Sequence, residues 1–594
     1  MSKLNYLFIA LVSFAVYSAS LANPFFILDD GLLIFENNIL REISFENLRI
    51  MFSSFDPELY IPLTIFSYQI DYLIGGYSPF IYHFTNLLLH TANACLVACA
   101  AELLLRDHLH GKSLRQISLA IGLIFAVHPI NTEAIVWASS RKDLLSSFFL
   151  LLALTSYLKI GKSSVSKKIT TYLYFLLALL AKVSVVILPL LLLLIDFYRG
   201  RKFTVKTWIE KIPYFVLSII FGIVALLGKQ SVESTVSLFE RGLLACKSII
   251  FYVIKIIFPI NLSVFYPQLE PISLIGAEFL ISVILIIISS YLLFRFRKKY
   301  QYVIFGMLFF VISLLPSFIS VTKGGNILFA SNRYAYIASI GVIYVVVKII
   351  YEMFDRKTFQ NICLICIAIF SYLSFTESVL WKNNADVFRK STEIYPEFYH
   401  PYISLGASER LSGNPREAIE AYEKAIELHS LPNTHAVIGQ VYAEQGKFSL
   451  AEAKIKEAIS LGPKDPELRY ALGQVYVLQK KFDLAEEEYM RALELYPDDE
   501  NEYEKLARRI SSRRDMVYLR LGVLYGIRGD HEKAIEFQKK AIEENEYLAD
   551  AYYNLAIGLG KLGKKDEAIF NYEKVLEINP GYERARMNLE IMRD

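Results

Sequence analysis

The chain has 594 residues, of which 54% are apolar, 14% aromatic and 20% charged, and its mean hydropathy is +0.37. Soluble domains average about 45–50% apolar and about 25% charged residues, so this composition excludes a wholly water-soluble protein, a disordered chain and a disulfide scaffold. The formal charge of +3 divides unevenly, because residues 397–594 carry −8 and the other 396 residues carry +11. We therefore predict a basic membrane domain followed by an acidic soluble domain. Nucleic acid is not an expected partner, since the basic residues lie in short loops and not on one face.

Eleven apolar runs occupy the first 380 residues and predict a polytopic helical membrane bundle. A membrane-spanning helix needs about 20 apolar residues, and several of these runs are shorter: 4–22, 80–105, 116–128, 143–160, 170–181, 183–198, 212–229, 274–294, 300–320, 334–353 and 359–379. Lys and Arg concentrate on the cytoplasmic side of membrane proteins. With eleven spans all the basic clusters fall on one side: Lys3 and the loops 106–115, 159–168, 199–206, 295–299 and 348–357. This pattern predicts a cytoplasmic N-terminus and an extracytoplasmic position for everything after residue 380.

The first apolar run has a second interpretation. Ser20-Leu21-Ala22 looks like a small-residue cleavage site, so residues 4–22 could be a signal peptide instead of a span. Cleavage there would cut directly before the first outer loop, residues 23–79. We therefore expect a retained helix.

The first outer loop contains an acidic pair, Asp29-Asp30, directly after the first run. Two adjacent carboxylates at a membrane boundary could act as a general base, hold a divalent cation such as Mg²⁺ or Mn²⁺, or form a solvated helix end. The same loop contains an apolar stretch, residues 60–74, that is too short to span a bilayer. It predicts a helix lying at the membrane interface.

The second run carries four polar side chains at steps of three and four residues: His83, Asn86, His90 and Asn93. This spacing places them on one face of a helix. Polar residues within spans face the bundle or a water-filled cavity. Hydrogen bonding between helices and the lining of a cavity both fit this pattern, and the first is the more common role.

The second outer loop, residues 128–142, and the start of the next run are densely charged: His128, Glu133, Arg141, Lys142 and Asp143. Cations on this side oppose the positive-inside trend, and Arg is well suited to bidentate capture of phosphate. Lys182, between two runs, and Arg333, at the start of the tenth run, fall on the same side. Each residue alone could form a structural ion pair. Together they predict a site for an anionic, membrane-borne substrate.

The C-terminal part repeats with a period of 34 residues. Gly439 and Gly473 are 34 residues apart, and so are Ala534 and Ala568. Small residues, Tyr and Pro at fixed positions are typical of tetratricopeptide (TPR) repeats, which stack into an α-solenoid. We predict a linker helix over 381–398 and a TPR array over 399–594, with a charged insertion at 498–512, a capping helix from Tyr582 and repeats that start at Tyr399, Pro432, Pro466, Asp515 and Ala549. Its concave surface is expected to bind a peptide or protein.

Several stretches resemble one known family. YIPLTIFSYQIDYLIGGYSPFIYHFTNLLLH, FAVHPINTEAIVWASSRKDLLSSFFLLLALTSYLK and SNRYAYIASIG are similar to the transmembrane-and-TPR-repeat protein O-mannosyltransferases and their bacterial relatives. The resemblance extends over essentially the whole chain. It implies the GT-C glycosyltransferase architecture, a polyprenyl- or dolichyl-phosphate sugar donor and a membrane location, with a bacterial inner membrane expected ahead of the endoplasmic reticulum.

The resemblance also implies roles for individual residues. Asp29-Asp30 corresponds to the acidic motif of the first outer loop, the usual position of the catalytic base. The second-loop motif is matched by His128, Glu133, Arg141 and Asp143, and the Arg-Tyr motif by Arg333. Two positions depart from the family pattern, because Ile61 stands where Arg is usual and Val183-Ser184 follows Lys182 where Glu or Pro is common.

The predicted activity is an inverting sugar transfer from a lipid phosphate to a hydroxyl, expected on Ser or Thr of a protein. Asp30 or Asp29 would deprotonate the hydroxyl, while Arg141, Lys182 and Arg333 would bind the phosphate. The alternative is a non-enzymatic membrane scaffold whose TPR array recruits envelope or secretory proteins, but an anchor needs one span and no outer-face charges. A transporter is less consistent, since transport sites lie near the bilayer midplane.

Overall fold

A computed structural model describes the chain except for residues 36, 56–58, 160–164, 229–235, 320, 324, 497–513, 580 and 594. The chain forms two compact units, Met1–Pro401 and Tyr402–Asp594. The predicted all-α class is confirmed, with a membrane-type helical bundle followed by a TPR solenoid. The predicted charged insertion at 498–512 lies outside the described residues.

The first unit consists mainly of helices that are apolar along most of their length. Its first half contains α1 Lys3–Tyr17, α2 Phe45–Ser53, α3 Pro62–Gly75, α4 Pro79–Leu105, α5 Gly111–Ala126, α6 Thr132–Val136, α7 Arg141–Leu158, α8 Val165–Ala181 and α9 Leu188–Tyr198. Its second half contains α10 Val205–Ile209, α11 Ile212–Leu227, α12 Leu238–Ile257, α13 Ala277–Arg295, α14 Gln301–Leu314, α15 Ala335–Met353, α16 Arg356–Leu380 and α17 Asn384–Ile394. Helix α3 matches the predicted interfacial helix, and α17 lies within the predicted linker.

Seven helical segments in the described part of the chain are long and apolar enough to cross a bilayer, or eight if α5 and the helix bent by 48° after it form one span. Two shorter apolar helices, Lys168–Ala181 and Val183–Tyr198, match predicted runs. Helix α7 also overlaps a predicted run, but its first turn is Arg141-Lys142-Asp143. Each of the eleven predicted runs therefore overlaps a helix, while the count of eleven spans stays a prediction.

Contacts between helix ends define two faces of the first unit. At one face the amino group of Met1 pairs with Glu102 of α4, and Arg199 donates over 3.1 Å to the carbonyl oxygen of Leu158 at the end of α7. The opposite face, which we call the loop face, is formed by three segments that contact one another: 23–30, 128–140 and 331–333.

Helix α12 contacts the loop face near its C-terminal end and the segment that leads to that face, residues 319–331, along the rest of its length. Its Ser248 hydroxyl donates to the Phe329 carbonyl oxygen over 2.8 Å, and its Ile256 carbonyl oxygen lies 2.8 Å from Nε2 of His128. Near the other end Arg241 donates over 3.5 Å to the carbonyl oxygen of Ile319. The apolar runs do not reveal this helix, because four charged residues interrupt its apolar pattern: Glu240, Arg241, Lys247 and Lys255.

A small antiparallel sheet leads the chain into the loop face. Its strands are β1 Tyr266–Pro267, β2 Thr322–Lys323 and β3 Asn326–Ala330, in the order β1-β3-β2. Tyr266 pairs with Ala330, the last residue of the central strand. The sheet therefore fixes the residues that immediately follow β3, which are Ser331, Asn332 and Arg333.

Helices α14 and α15 approach each other closely through two glycines. A Cβ atom on Gly306 would lie 2.6 Å from the carbonyl oxygen of Gly341, and a Cβ atom on Gly341 would lie 2.3 Å from that of Gly306. In a lipid environment, helices associate through such close packing of small residues. This contact holds the helix that begins directly after Arg333.

The second unit and the start of α18 form helical hairpins whose bounds follow the predicted repeats. The helices are α18 Tyr399–Leu411, α19 Pro415–Leu428, α20 Pro432–Glu444, α21 Phe448–Leu461, α22 Pro466–Leu478, α23 Phe482–Leu495, α24 Arg514–Arg528, α25 His531–Glu544, α26 Ala549–Lys561, α27 Lys565–Ile578 and the terminal α28 Glu583–Arg593. Pro is preorganised for the first turn of a helix, and it begins α19, α20 and α22.

Small residues facing tyrosines explain the repeat pattern. A Cβ atom on Gly473 would lie 2.5 Å from the ring of Tyr489, and one on Gly406 would lie 2.7 Å from that of Tyr422. Both tyrosine rings are fully buried. In these two hairpins the Gly and the Tyr therefore serve packing.

Candidate active site

Asp30 joins the two outer loops through its carboxylate. Its Oδ2 accepts the backbone N–H of Phe26 over 2.7 Å, and its Oδ1 accepts the backbone N–H of Ser139 over 2.8 Å. The side chain is fully buried, and this burial raises the pKa of Asp30 to about 6, although the two N–H donors oppose the shift. Asp30 is thus placed to hold the second loop against the first.

The raised pKa of Asp30 predicts a pH dependence of stability. Because the folded state retains the proton to a higher pH than the unfolded chain, stability falls as the pH rises between about 4 and 6, by roughly 3 kcal/mol. Asp30→Asn removes this titration. We expect the difference in thermal unfolding temperature between wild type and D30N, measured in detergent, to change across this window. A difference that is independent of pH would contradict the assignment.

Asp29 differs from Asp30 in both exposure and neighbours. Its side chain is 44% exposed, and its Oδ2 lies 3.3 Å from Nζ of Lys142 and 3.9 Å from Nη1 of Arg333. Both cations are nearly buried, with 5% and 10% of their side chains exposed. The structure thus brings together residues from three predicted segments around the more accessible of the two carboxylates.

Glu133 holds Arg333 in position. Its Oε1 lies 3.1 Å from Nε of Arg333, and its Oε2 accepts from the amide of Asn332 over 2.9 Å. The hydroxyl of Ser331 also donates to it over 3.2 Å. The guanidinium of Arg333 lies over the Trp137 ring, 4.3 Å from its centroid. Three consecutive residues after β3 therefore bind one buried carboxylate.

Lys182 and Asp143 form the third charged pair. Lys182 Nζ lies 2.5 Å from Oδ1 of Asp143, and it also lies 5.8 Å from the centroid of the Tyr334 ring. Oδ2 of Asp143 is buried and has no hydrogen-bond partner in the described structure. Asp143 and Lys182 thus join the group of Asp29, Lys142 and Arg333, as the sequence predicted for four of these five residues.

Arg141 does not contact this group, and its role in phosphate binding stays a prediction that its contacts do not favour. Its side chain is fully buried, and Nη2 lies 2.7 Å from Oδ2 of Asp71 and 2.8 Å from the carbonyl oxygen of Tyr82. Nε donates to Oδ1 of Asn86, and Nη1 donates to Ser67 over 3.3 Å. Because the guanidinium is enclosed by protein partners, Arg141 connects α3, α4 and α7, and the adjacent Lys142 is the residue that contacts Asp29.

His128 is likewise a structural residue and does not contact the charged group. Its side chain is fully buried, Nε2 donates to the carbonyl oxygen of Ile256, and Nδ1 accepts the backbone N–H of Ile130 over 3.2 Å. These two bonds define a neutral ring and cap the short helical turn that begins at Pro129. The predicted ligand-binding role of His128 is therefore not supported by its contacts.

Three of the four predicted polar residues of α4 form hydrogen bonds to other segments, which was the more common of the two predicted roles, but within the described residues the ring nitrogens of His83 form none. Asn86 donates to the Trp137 carbonyl oxygen over 3.0 Å, and Asn93 donates to that of Leu144 over 3.0 Å. His90 bonds to Tyr336 and to the Ala126 carbonyl oxygen. The bond from Asn86 anchors the second loop to α4.

The residues at the loop face do not fit a divalent cation. Mg²⁺ and Mn²⁺ prefer several oxygen ligands, but no group of three or more His, Cys, Asp or Glu converges among the described residues. Both oxygens of Asp30 accept backbone N–H groups, and Asp29 lies beside two cations. The contacts of Asp29 and Asp30 therefore do not support the metal role predicted for this pair.

A small polar cleft, partly open to solvent, lies beside Glu133. Its walls include the carboxylate of Glu133, the loop at 262–264, Asn332 and two residues of the segment after α16, Trp381 and Lys390. Arg333 links the cleft to Asp29. It contacts Glu133, which lines the cleft, and it also contacts Asp29.

Sequence reasoning missed several residues that build the site. Ser331, Asn332 and Trp137 position Arg333. Lys142 was recognised as an outer-side cation but was not given the contact with Asp29. Asn332-Arg333 and Arg141-Lys142 were visible as polar pairs beside apolar runs. The sequence alone could not show which residue of each pair contacts the charged group around Asp29 and which one positions its neighbour. At the position of the missing family cation, Ile61 is buried in an apolar cluster.

Comparison with known families identifies tetratricopeptide repeats in the C-terminal part. Tetratricopeptide-repeat families match residues 399–429, 436–500, 517–547 and 549–582, within the range predicted for the array. Crystallised YrrB, described as a TPR protein with an unusual peptide-binding site, is 23% identical with a TM-score of 0.26, and the match covers 35% of this chain and 99% of YrrB.

The first unit is covered by a longer similarity. Protein O-mannosyl-transferase TMTC3 of Homo sapiens is 22% identical over 90% of this chain and 62% of its own length. TMTC2 of Homo sapiens is 38% identical over 17% of this chain and 11% of its length, and Tmtc1 of Drosophila melanogaster is 41% identical over 16% and 10%. The chain thus spans less than two-thirds of each of these relatives. The chain is thus similar to these TMTC proteins along nine-tenths of its length and carries the repeats, in agreement with the resemblance that its loop motifs predicted.

Proposed function

We propose that this protein is an integral-membrane glycosyltransferase that moves a sugar, such as mannose, from a polyprenyl- or dolichyl-phosphate to a Ser or Thr hydroxyl of a protein. The observation that carries the proposal is the position of Asp29, a half-exposed carboxylate beside two nearly buried cations on one face of an apolar bundle. The relatives' name, protein O-mannosyl-transferase, supports the choice of reaction.

Asp29 is the better candidate for the base. A general base must reach the proton that it removes, and 44% of the Asp29 side chain is exposed whereas Asp30 is fully buried. Both oxygens of Asp30 are also engaged by backbone N–H groups. Asp29 therefore takes the hydroxyl proton, and Asp30 positions the loop that carries Asp29.

Lys142 and Arg333 are the candidates for binding the donor phosphate, with Lys182 beside them. The acceptor oxygen attacks the anomeric carbon from the face opposite the phosphate, the bond from that carbon to the phosphate oxygen breaks, and its electron pair leaves with the lipid phosphate. Fixed positive charges near the leaving oxygen stabilise this transition state in a site of low water content. Attack from the opposite face inverts the anomeric centre.

The polar cleft beside Glu133 is a candidate path for the acceptor. Its walls carry both hydrogen-bonding groups and a charged pair, since Lys390 lies 2.5 Å from Glu377. The TPR array is the candidate for selecting the acceptor polypeptide, because TPR solenoids present concave surfaces that bind extended partners.

The activity is tested with the full chain reconstituted in lipid vesicles. Polyprenyl-phosphate mannose and a Ser/Thr-rich polypeptide are added, and a hexose on the polypeptide is measured by mass spectrometry. The glycosyltransferase assignment requires hexose addition that depends on the lipid-linked donor. If the polypeptide binds to the protein without being modified, the scaffold alternative is supported instead.

We further propose that the loop face and the TPR array lie outside the cytoplasm, in a membrane predicted to be a bacterial inner membrane. Helix α16 ends near the loop face, where Asn23 donates over 3.3 Å to the carbonyl oxygen of Ser378. The described part of residues 402–594 contains no helix apolar enough to span a bilayer. The basic loops lie on the opposite side of the predicted bundle. Since basic loops concentrate in the cytoplasm, the loop face is expected to lie outside it.

This topology predicts the behaviour of a fused reporter. A reporter that is active only in the cytoplasm, attached after residue 594, is expected to be silent. The same reporter fused in the basic loop 295–299 should be active and serves as the matched control. Activity at the C-terminal position would show that the number of spans is even.

A further inference from the structure

Three carboxylates and three cations are paired at the loop face. The pairs are Asp29 with Lys142, Asp143 with Lys182, and Glu133 with Arg333. Asp30 lies outside these pairs, since backbone N–H groups occupy its oxygens. Each of these cations is already paired with a carboxylate. A phosphate can therefore form an ion pair here only if it replaces a carboxylate as the partner of a cation.

The three carboxylates are held to different degrees. Asp143 is 2.5 Å from its lysine and 9% exposed, and Glu133 is 3% exposed with three donors around it. Asp29 is 3.3 Å from Lys142, 3.9 Å from Arg333 and 44% exposed. Ion-pair attraction falls with distance and with access to water. Asp29 is therefore the carboxylate that an anion displaces most easily.

Displacing Asp29 releases the contacts of Lys142 and of Nη1 of Arg333 at once, while Nε of Arg333 stays paired with Glu133. Lys142 and Arg333 each contact the same oxygen, Oδ2 of Asp29. A phosphate has several oxygens and can contact an ammonium and a guanidinium together. Both cations are nearly buried and do not have to move far, whereas the exposed Asp29 side chain has room to turn away.

We infer that the phosphate of the lipid-linked donor binds by displacing Asp29 from Lys142 and Arg333, and that the displaced carboxylate is then the one that accepts the hydroxyl proton. This inference rests on the proposed function. Before the donor binds, Lys142 and Arg333 contact Asp29. Once the phosphate neutralises them, the proton of the acceptor hydroxyl passes to Asp29 as its oxygen bonds to the anomeric carbon. The base is therefore activated by the donor, and the donor binds first.

The inference makes an unusual binding prediction, tested with the detergent-solubilised full chain and farnesyl phosphate. Asp29→Asn removes the competing carboxylate, so the variant is expected to bind farnesyl phosphate about three- to tenfold more tightly than wild type, although it lacks the base. Asp29→Glu restores a carboxylate and should return the affinity toward the wild-type value. Lys142→Met should weaken binding in both backgrounds.

Two controls separate displacement from other effects. Asp386→Asn removes a carboxylate of matched exposure, 43%, that is paired with Arg389 and not with Lys142 or Arg333, and it should leave the affinity unchanged. Farnesol, which lacks the phosphate, should bind wild type and D29N equally. Equal or weaker binding of farnesyl phosphate by D29N overturns the inference, and so does a gain for farnesol. If wild type transfers sugar while D29N shows no gain, the inference fails and the proposed function stands. If neither protein binds farnesyl phosphate, both fail.

Discussion

Replacing Asp29 by Asn is expected to lower sugar transfer by about two or more orders of magnitude, because the amide keeps the size of the side chain but cannot accept the hydroxyl proton. The measurement is the initial rate of hexose addition to the polypeptide in vesicles at saturating donor. Because the nearly buried Lys142 loses its carboxylate partner, some loss of stability is also expected. The rate is therefore measured at saturating donor and normalised to the amount of folded protein.

The comparison with Asp30 distinguishes a base from a positioning residue. Asp30→Asn leaves one acceptor oxygen for two backbone N–H donors, so it should lower both stability and rate. The transfer rate of D30N should depend on temperature. It should partly recover at low temperature, where the loop keeps its folded position. Asp386→Asn again serves as the matched surface control. Full activity in D29N together with a folded but inactive D30N would assign the base to Asp30.

The arrangement of the bundle was largely readable from apolar runs, because a span has to be apolar over a set length. Helix α12 could not be predicted in this way, because its charged residues interrupt its apolar pattern. Its buried side follows a four-residue spacing through Leu244, Ser248, Tyr252 and Ile256. Hydropathy averages over all faces of a helix, so a helix that is apolar on only part of its surface escapes detection.

The candidate site was only partly predictable for a different physical reason. Charge and location identified Asp29, Asp143, Lys182, Glu133 and Arg333 as a group. Sequence alone could not assign Arg141 and Lys142, because adjacent residues at the start of a helix point in different directions. Arg141 points into the bundle toward Asp71, and Lys142 points toward Asp29. The residue that best suits phosphate chemistry is thus the one used for structure.

Replacing Arg141 by Met is expected to destabilise the first unit by about 3–5 kcal/mol, since removing one partner of a buried ion pair leaves the other charge uncompensated. Asp71 is 3% exposed and lies 2.7 Å from the guanidinium. The carbonyl oxygen of Tyr82 and the amide oxygen of Asn86 also lose their donor. The thermal unfolding temperature of the purified protein is measured in detergent. The fraction of protein that remains monodisperse is a second readout.

The double variant Arg141→Met/Asp71→Asn tests whether the loss arises from the stranded charge. The amide introduced at position 71 would keep an oxygen for the hydroxyl of Thr85, which donates to Asp71 over 2.8 Å in the wild type, and it carries no charge. Much of the lost stability should therefore return, because replacing both members of a buried ion pair is far less costly than removing one. Phosphate binding gives the opposite pattern: R141M would keep the wild-type unfolding temperature, lose affinity for farnesyl phosphate and gain nothing from the second substitution. That result would return Arg141 to the site and leave Lys142 as its support.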